Sequence, residues 1–288
     1  RFPFTKGSLG NSEDTKSFNN LLLLCQIARE LLMTLKSIHD AGIFHLDLKL
    51  ENIMFTENIM FKDPPYNTPI VKIIDFGASL TTKSTYEERL YFRGSPPYVD
   101  PNYTLKILQL TQGLHVQGIT DNDFRNADIY ALGSILYVLY NGSGHSMVPV
   151  FRAYDSYYEG NERGGVGENQ WTADLDRWGW KRGGGTLKAL PHYKKWIKGE
   201  VARIDLENTR FEHSIAESQT EGLTRTPFYH NLFSNKLLRL FLGLINFSVD
   251  VNGDQPTEVK LQGRSSLNGA MGLISCIEGG IKKEEESV

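Results

Sequence analysis

Two short segments carry residues whose types and spacing could do chemistry. In His45-Leu46-Asp47-Leu48-Lys49-Leu50-Glu51-Asn52 an aspartate and an asparagine flank a lysine. Together they supply a proton acceptor, a cation and an oxygen able to hold a metal ion, the parts phosphoryl transfer requires. In Ile73-Ile74-Asp75-Phe76-Gly77 an apolar run ends in a carboxylate followed by a turn residue. A carboxylate at a strand exit can reach a Mg²⁺ that bridges phosphates. Each segment also has a plainer reading, a polar turn in the first and a capping aspartate with a turn glycine in the second.

Two further segments follow. Gly94-Ser95-Pro96-Pro97-Tyr98-Val99-Asp100-Pro101-Asn102 is a turn-rich stretch, and Ala127-Asp128-Ile129-Tyr130-Ala131-Leu132-Gly133 opens an apolar one. An aspartate inside an apolar helix must find partners or bear a large desolvation cost. The backbone amides of the 45–52 segment would suit Asp128.

The elements that must position these residues are legible in part. Leu24, Ile27, Leu31, Leu35 and Ile38 recur at helical spacing, widened by Ala28 and Leu32, and Gly42 is placed to end that helix in a left-handed turn. Residues 1–20 read as a loop or a short helix start. Ile53 to Phe55 and Ile70 to Ile74 are short apolar runs around Lys62-Asp63-Pro64-Pro65-Tyr66-Asn67-Thr68-Pro69, a small β-hairpin with an enlarged tip. Residues 75–102 show no regular period and read as an ordered or switchable loop. A helix from near Asn126 to Tyr140 is apolar on nearly all sides, hence buried. Another spans about Ser234 to Phe247. Residues 143–225 are rich in glycine and carry Trp171, Trp178 and Trp180, an insertion whose aromatics could serve as a partner surface.

Composition narrows the classes. The chain has 288 residues, 40% hydrophobic and 23% charged, enough to bury a core, and a net charge of −3. No basic excess points to nucleic acid, and no apolar run is long enough to span a membrane. Cys25 and Cys276 are too few for a disulfide framework and favour a reducing, cytoplasmic setting.

The four segments, in this order, resemble the C-terminal lobe of eukaryotic-type protein kinases. HLDLKLEN matches the catalytic loop, IIDFG the metal loop, GSPPYVDPN the end of the activation segment and ADIYALG the central helix. Gly7-Ser8-Leu9 is similar to the stretch after the kinase hinge. The likeness covers about residues 7–142 well and 228–262 loosely. It implies a mainly α fold with a small β-hairpin, and it implies ATP and Mg²⁺ as cofactors. Asp47 would accept or orient the acceptor's proton. Lys49 would neutralise the transferring phosphate, which favours Ser/Thr over Tyr substrates. Asn52 and Asp75 would hold Mg²⁺, and Met54 would lie beneath the adenine. Ser95 would contact Asp47 and position the acceptor, while His45, Gly77 and Asp128 would give structural support.

The chain departs from the family pattern in three places. Leu46 stands where the family has an Arg that binds a phosphate on the activation loop. Activity is therefore expected not to depend on phosphorylating Thr81, Thr82, Ser84, Thr85 or Tyr86. Asn102 stands where the family has a Glu paired with a distant Arg, whose position is assigned to Gln255. With both charges absent together, an Asn102–Gln255 amide contact is expected. Finally, no Gly-rich phosphate loop or strand Lys precedes the first helix. Either an N-terminal lobe lies upstream in a parent chain, the favoured expectation, or the chain never had one.

These readings divide the chain into a kinase lobe core (1–142), the Gly/Trp-rich insertion (143–225) and C-terminal helices with a charged tail (226–288). The leading function is a protein serine/threonine kinase acting on a protein substrate. A pseudokinase or scaffold recruiting a partner through 143–225 is the alternative. A small-molecule kinase of the aminoglycoside or choline type ranks third, because it has no use for a peptide-positioning GSPPYVDPN.

Overall fold

The computed structural model describes residues 14–55, 71–111, 113, 118–141, 149, 185–221, 226–246, 248–252, 255–260 and 264–286. Within these the chain is mainly helical. Helix α1 (Asp14–Asp40) buries Leu21, Leu24, Ile27, Ala28, Leu31, Leu32 and Leu35, the stripe its spacing predicts. It begins at Asp14, so of the two readings of residues 1–20 the helix start is the one that residues 14–20 take. Gly42 ends it with φ +73°, as expected of a left-handed cap.

Strand β1 (Ile43–Phe44) pairs with β4 (Leu80–Thr81), and β2 (Ile53–Phe55) with β3 (Val71–Ile73), both antiparallel. The second pair forms the expected hairpin; its tip lies outside the described residues. Within the stretch expected to be an ordered or switchable loop, a short α2 (Tyr86–Arg89) and a 3₁₀ turn (Pro96–Tyr98) occur, and α3 (Pro101–Thr111) starts inside the same stretch.

Helix α4 (Asp121–Asn141) is the buried axis, with an unbroken buried run from Ala127 to Leu139. It starts five residues before the expected boundary. Thr120 and Asp123 cap it reciprocally: Asp123 N–H donates to Thr120 Oγ1 at 3.3 Å and Thr120 N–H to Asp123 Oδ2 at 2.9 Å. Gly133 is required by packing. A Cβ there would stand 2.6 Å from Leu244 Cβ and 2.8 Å from Ile245 Cγ2, so only glycine lets the two helices approach this closely.

Part of the region read as an irregular insertion is a long helix, α5 (Gly185–Glu221), which packs on α6 (Thr226–Leu244). Trp171, Trp178 and Trp180 lie outside the described residues. The hairpin β5 (Ser248–Asn252) and β6 (Gln255–Lys260) leads to α7 (Leu267–Glu285). Helices α1, α4, α6 and α7 enclose one apolar core. No helix among the described residues is long and apolar enough to cross a membrane.

One polar pair sits in the α1–α7 seam. Arg29 donates to Glu278 Oε2. Burial raises the Glu278 pKa, and Arg29 and Lys282 only partly offset it. A carboxyl whose pKa is raised in the folded state favours folding most below the ordinary glutamate range. That contribution is lost as pH rises through the shifted pKa. Glu278→Gln removes this dependence. Its melting temperature relative to wild type is expected to rise from acid to neutral pH, measured by thermal melts at each pH. A relative fall over that interval would contradict the assignment.

Candidate active site

The site is assembled around one buried carboxylate. Asp128, at 0% exposure, accepts from the His45 N–H at 2.8 Å, the Leu46 N–H at 2.8 Å and His39 Nε2 at 2.9 Å. Three donors meet the requirement that a buried carboxylate be hydrogen-bonded. The contacts also hold the backbone at Leu46, where φ is +62°. That region costs a leucine about 1–2 kcal/mol. The Leu46 side chain is itself buried, among Phe44, Leu80, Val99, Tyr103 and Phe124. It is a core residue within the 45–52 segment.

His45 ties this loop to the segment after β3. Its Nδ1 accepts the Asp47 N–H at 3.3 Å, so Nε2 carries the proton and donates to the Ile74 carbonyl at 3.0 Å. Its ring centroid lies 4.9 Å from that of Phe76. The Ile74 N–H donates to the Asn52 carbonyl at 3.0 Å. The 45–52 and 74–77 segments therefore lie together, and Asp47 and Asp75 share one side of the molecule. Asp75 has φ +65°, and its Oδ1 accepts from the Gly77 N–H at 3.2 Å.

The Asp47 carboxylate is shared between two partners. Ser95 Oγ donates to Oδ1 at 2.8 Å and Lys49 Nζ to Oδ2 at 2.7 Å; Lys49 Nζ also reaches Ser95 Oγ at 3.1 Å. The bond to Asp47 is the main cause of the raised Lys49 pKa, with the charges of Glu51 and Asp75 adding to it, so Lys49 remains a cation. Asn52 Nδ2 donates to the Asp47 carbonyl at 2.8 Å, which turns the amide oxygen the other way. One carboxylate and one amide oxygen are hard ligands of the kind Mg²⁺ takes alongside phosphates and water. Asn52 and Asp75 therefore fit the ion. Met54 is half exposed on the outer side of β2.

Gly94 lets Ser95 reach Asp47. It has φ +101°, and a Cβ there would lie 2.8 Å from the Leu46 carbonyl oxygen.

Beyond Ser95 the expectation of a lost ion pair fails. Arg264 binds Asp100 with both terminal nitrogens, Nη2 to Oδ1 at 2.9 Å and Nη1 to Oδ2 at 3.1 Å, and its side chain is 2% exposed. Its guanidinium lies over the Tyr130 ring, 5.5 Å from the centroid, and the Tyr130 hydroxyl donates to that of Tyr193 on α5 at 2.9 Å. The charges are present, two residues upstream of 102 and nine downstream of 255. Asn102 Nδ2 turns instead to Asp123 Oδ1 at 3.4 Å, a carboxylate also held by Lys106. A glutamate at 102 would face Asp123, which gives a physical reason for the carboxylate to sit at 100. The Gln255 side chain lies outside the described residues. A sequence signal for Arg264 existed. It stands just before Ser266, whose hydroxyl caps α7 by accepting the Gly269 N–H.

A profile of the protein kinase domain family matches residues 6–153, a little over half of the chain. The chain belongs to the protein kinase family. Similar kinases come from distant organisms. Serine/threonine-protein kinase pkn3 of Myxococcus xanthus is 32% identical over 123 residues, 41% of this chain and 19% of the relative. The probable serine/threonine-protein kinase HAL5-like of Eremothecium gossypii is 38% identical over 77 residues, 25% of this chain and 10% of the relative. Calcium-dependent protein kinase 27 of Arabidopsis thaliana is 32% identical over 118 residues, 40% of this chain and 19% of the relative. The chain thus matches a tenth to a fifth of the length of these kinases.

Proposed function

We propose that this chain is the C-terminal lobe of a serine/threonine protein kinase, transferring the γ-phosphoryl group of Mg·ATP to a protein hydroxyl. The observation that carries the reading is the triangle of Asp47, Lys49 and Ser95. It offers a carboxylate, a cation and a hydroxyl within hydrogen-bond reach of one another. An acceptor hydroxyl placed beside Ser95 donates its hydrogen bond to Asp47. As the new O–P bond forms and the bond to the β-phosphate bridging oxygen breaks, Asp47 takes the proton. Lys49 faces the charge on the equatorial oxygens, where fixed charges act most strongly on the transition state. Mg²⁺, when held by Asn52 and Asp75, would neutralise phosphate charge. Met54 supplies apolar surface for the adenine.

The same reading extends to regulation. The Leu46 side chain is buried and carries no donor for a phosphate. Residues 81–88 are already bonded without one. Ser84 Oγ accepts the Thr81 N–H at 3.0 Å, and Thr85 and Glu88 form a capping box. Activity is accordingly read as independent of activation-loop phosphorylation. Cys25 is buried, with its thiol pKa raised chiefly by desolvation, and Cys276 is a free thiol, both in keeping with a reducing cytoplasm.

The test is transfer of labelled γ-phosphate to a basic acceptor protein by the full-length protein, with Asp47→Asn alongside. Labelled serine or threonine in the acceptor is the expected product. No transfer from the wild-type protein, or equal transfer from Asp47→Asn, would remove the reading.

A further inference from the structure

Arg89 makes more contacts with the 78–95 segment than its place on a four-residue helix requires. Its Nε donates to the Ser84 carbonyl at 3.1 Å, and its Nη2 to the carbonyls of Thr82 at 3.2 Å and Thr81 at 3.4 Å. Its Nη1 donates to Asp121 Oδ1 at 2.7 Å, and its guanidinium sits 5.5 Å from the Phe124 ring centroid. Three carbonyls of one turn thus converge on a single planar fork. That fork is anchored on two residues of α4, the most deeply buried helix described. A helix as short as α2 has no stability of its own. Its order comes from the capping box and from Arg89.

We infer that Arg89 is the positioning residue that orders the segment leading to Ser95, in the role a phosphate plays elsewhere. This rests on the proposed reading of that segment as the one that places the acceptor. The polarity is reversed. A phosphorylated segment contributes the anion and the scaffold contributes arginine. Here the segment contributes the guanidinium, and the scaffold contributes Asp121 and a ring face. An arginine is permanently charged and its five donors are fixed in a plane, so no modification is needed to complete the lock. Arg93 continues the arrangement toward Ser95. Its Nη2 donates to the Glu88 carbonyl at 3.2 Å, and its backbone N–H donates to the Tyr103 hydroxyl at 3.2 Å.

Hydrogen exchange on the 288-residue chain tests the lock directly. In Arg89→Ala, amides in 79–95 are expected to exchange about tenfold faster or more, with α1 and α4 unchanged. Rates within about twofold of wild type there would overturn the inference. Should Arg89→Ala unfold the whole chain, Arg89→Lys is read instead. Lysine keeps a charge for Asp121 but lacks the fork, so wild-type protection in that variant would equally overturn it. The positioning role is tested by phosphotransfer in the full-length protein. Arg89→Ala should raise KM for the acceptor about fivefold or more while leaving KM for ATP unchanged. An unchanged acceptor KM would reject that role. A wild-type protein without transfer, but with faster exchange in Arg89→Ala, would remove the kinase reading and leave the lock standing.

Discussion

Asp47→Asn is expected to lower phosphotransfer by about 10²–10⁴-fold, the range for losing a positioned general base. The amide keeps the size of the side chain; with its oxygen accepting from Lys49, its NH₂ donates to Ser95 Oγ, so the triangle stays in place with the Ser95 bond reversed. It loses the capacity to take a proton and the charge that orients the acceptor hydroxyl. The loss should fall on kcat, with KM for ATP nearly unchanged, because the Asp47 carboxylate contacts Ser95 and Lys49, while Asn52 is held by the Asp47 backbone carbonyl, which the substitution leaves in place. Thermal melts should coincide with those of wild type. Steady-state kinetics at saturating acceptor, beside a melt of the same sample, make the measurement. A small drop in kcat with a large rise in KM for ATP would place Asp47 in nucleotide binding instead.

Arg264→Ala is expected to destabilise the fold by about 3–5 kcal/mol, the cost of leaving a buried charge without its partner. Asp100 has no solvent exposure to compensate the loss. The Arg264 side chain also donates to the carbonyls of Asn246 at 3.0 Å and Asn126 at 3.2 Å, so three chain segments lose a common donor. The double variant Arg264→Ala/Asp100→Asn removes the stranded charge and should recover part of the stability, with a coupling of about 0.5–3 kcal/mol. Urea titrations of the wild type, both single variants and the double variant complete the cycle. Strictly additive midpoint shifts would mean that the pair is not energetically coupled.

The two effects probe parts of the site that differ in how openly the sequence announces them. Asp47, Lys49 and Asn52 sit within six consecutive residues, and Asp75 follows an obvious apolar run. The contact of Ser95 with Asp47 and the burial of Asp128 against the amides of the 45–46 backbone also match the reading of the motifs. The pairing of Asp100 with Arg264 joins residues 164 positions apart. The run Asn252-Gly253-Asp254-Gln255-Pro256-Thr257 points to Gln255 by local likeness alone, and local likeness does not say which distant residue meets the buried carboxylate. The early start of α4 was legible in Thr120 and Asp123 as a capping pair, but apolar spacing alone marks only where the buried face begins.

Arg89 shows the limit most clearly. In sequence it is one charged residue in Tyr86-Glu87-Glu88-Arg89, a run inside the stretch that reads as an ordered or switchable loop. Its significance lies in three carbonyls, a carboxylate and a ring brought around it by the turn and by α4. Side-chain chemistry, helical period and short-range motifs are written in neighbouring letters, because they depend on covalent identity and on a few residues of backbone. Which donor meets which acceptor across the core depends on how α1, α4, α6 and α7 pack, and packing is a property of the whole chain.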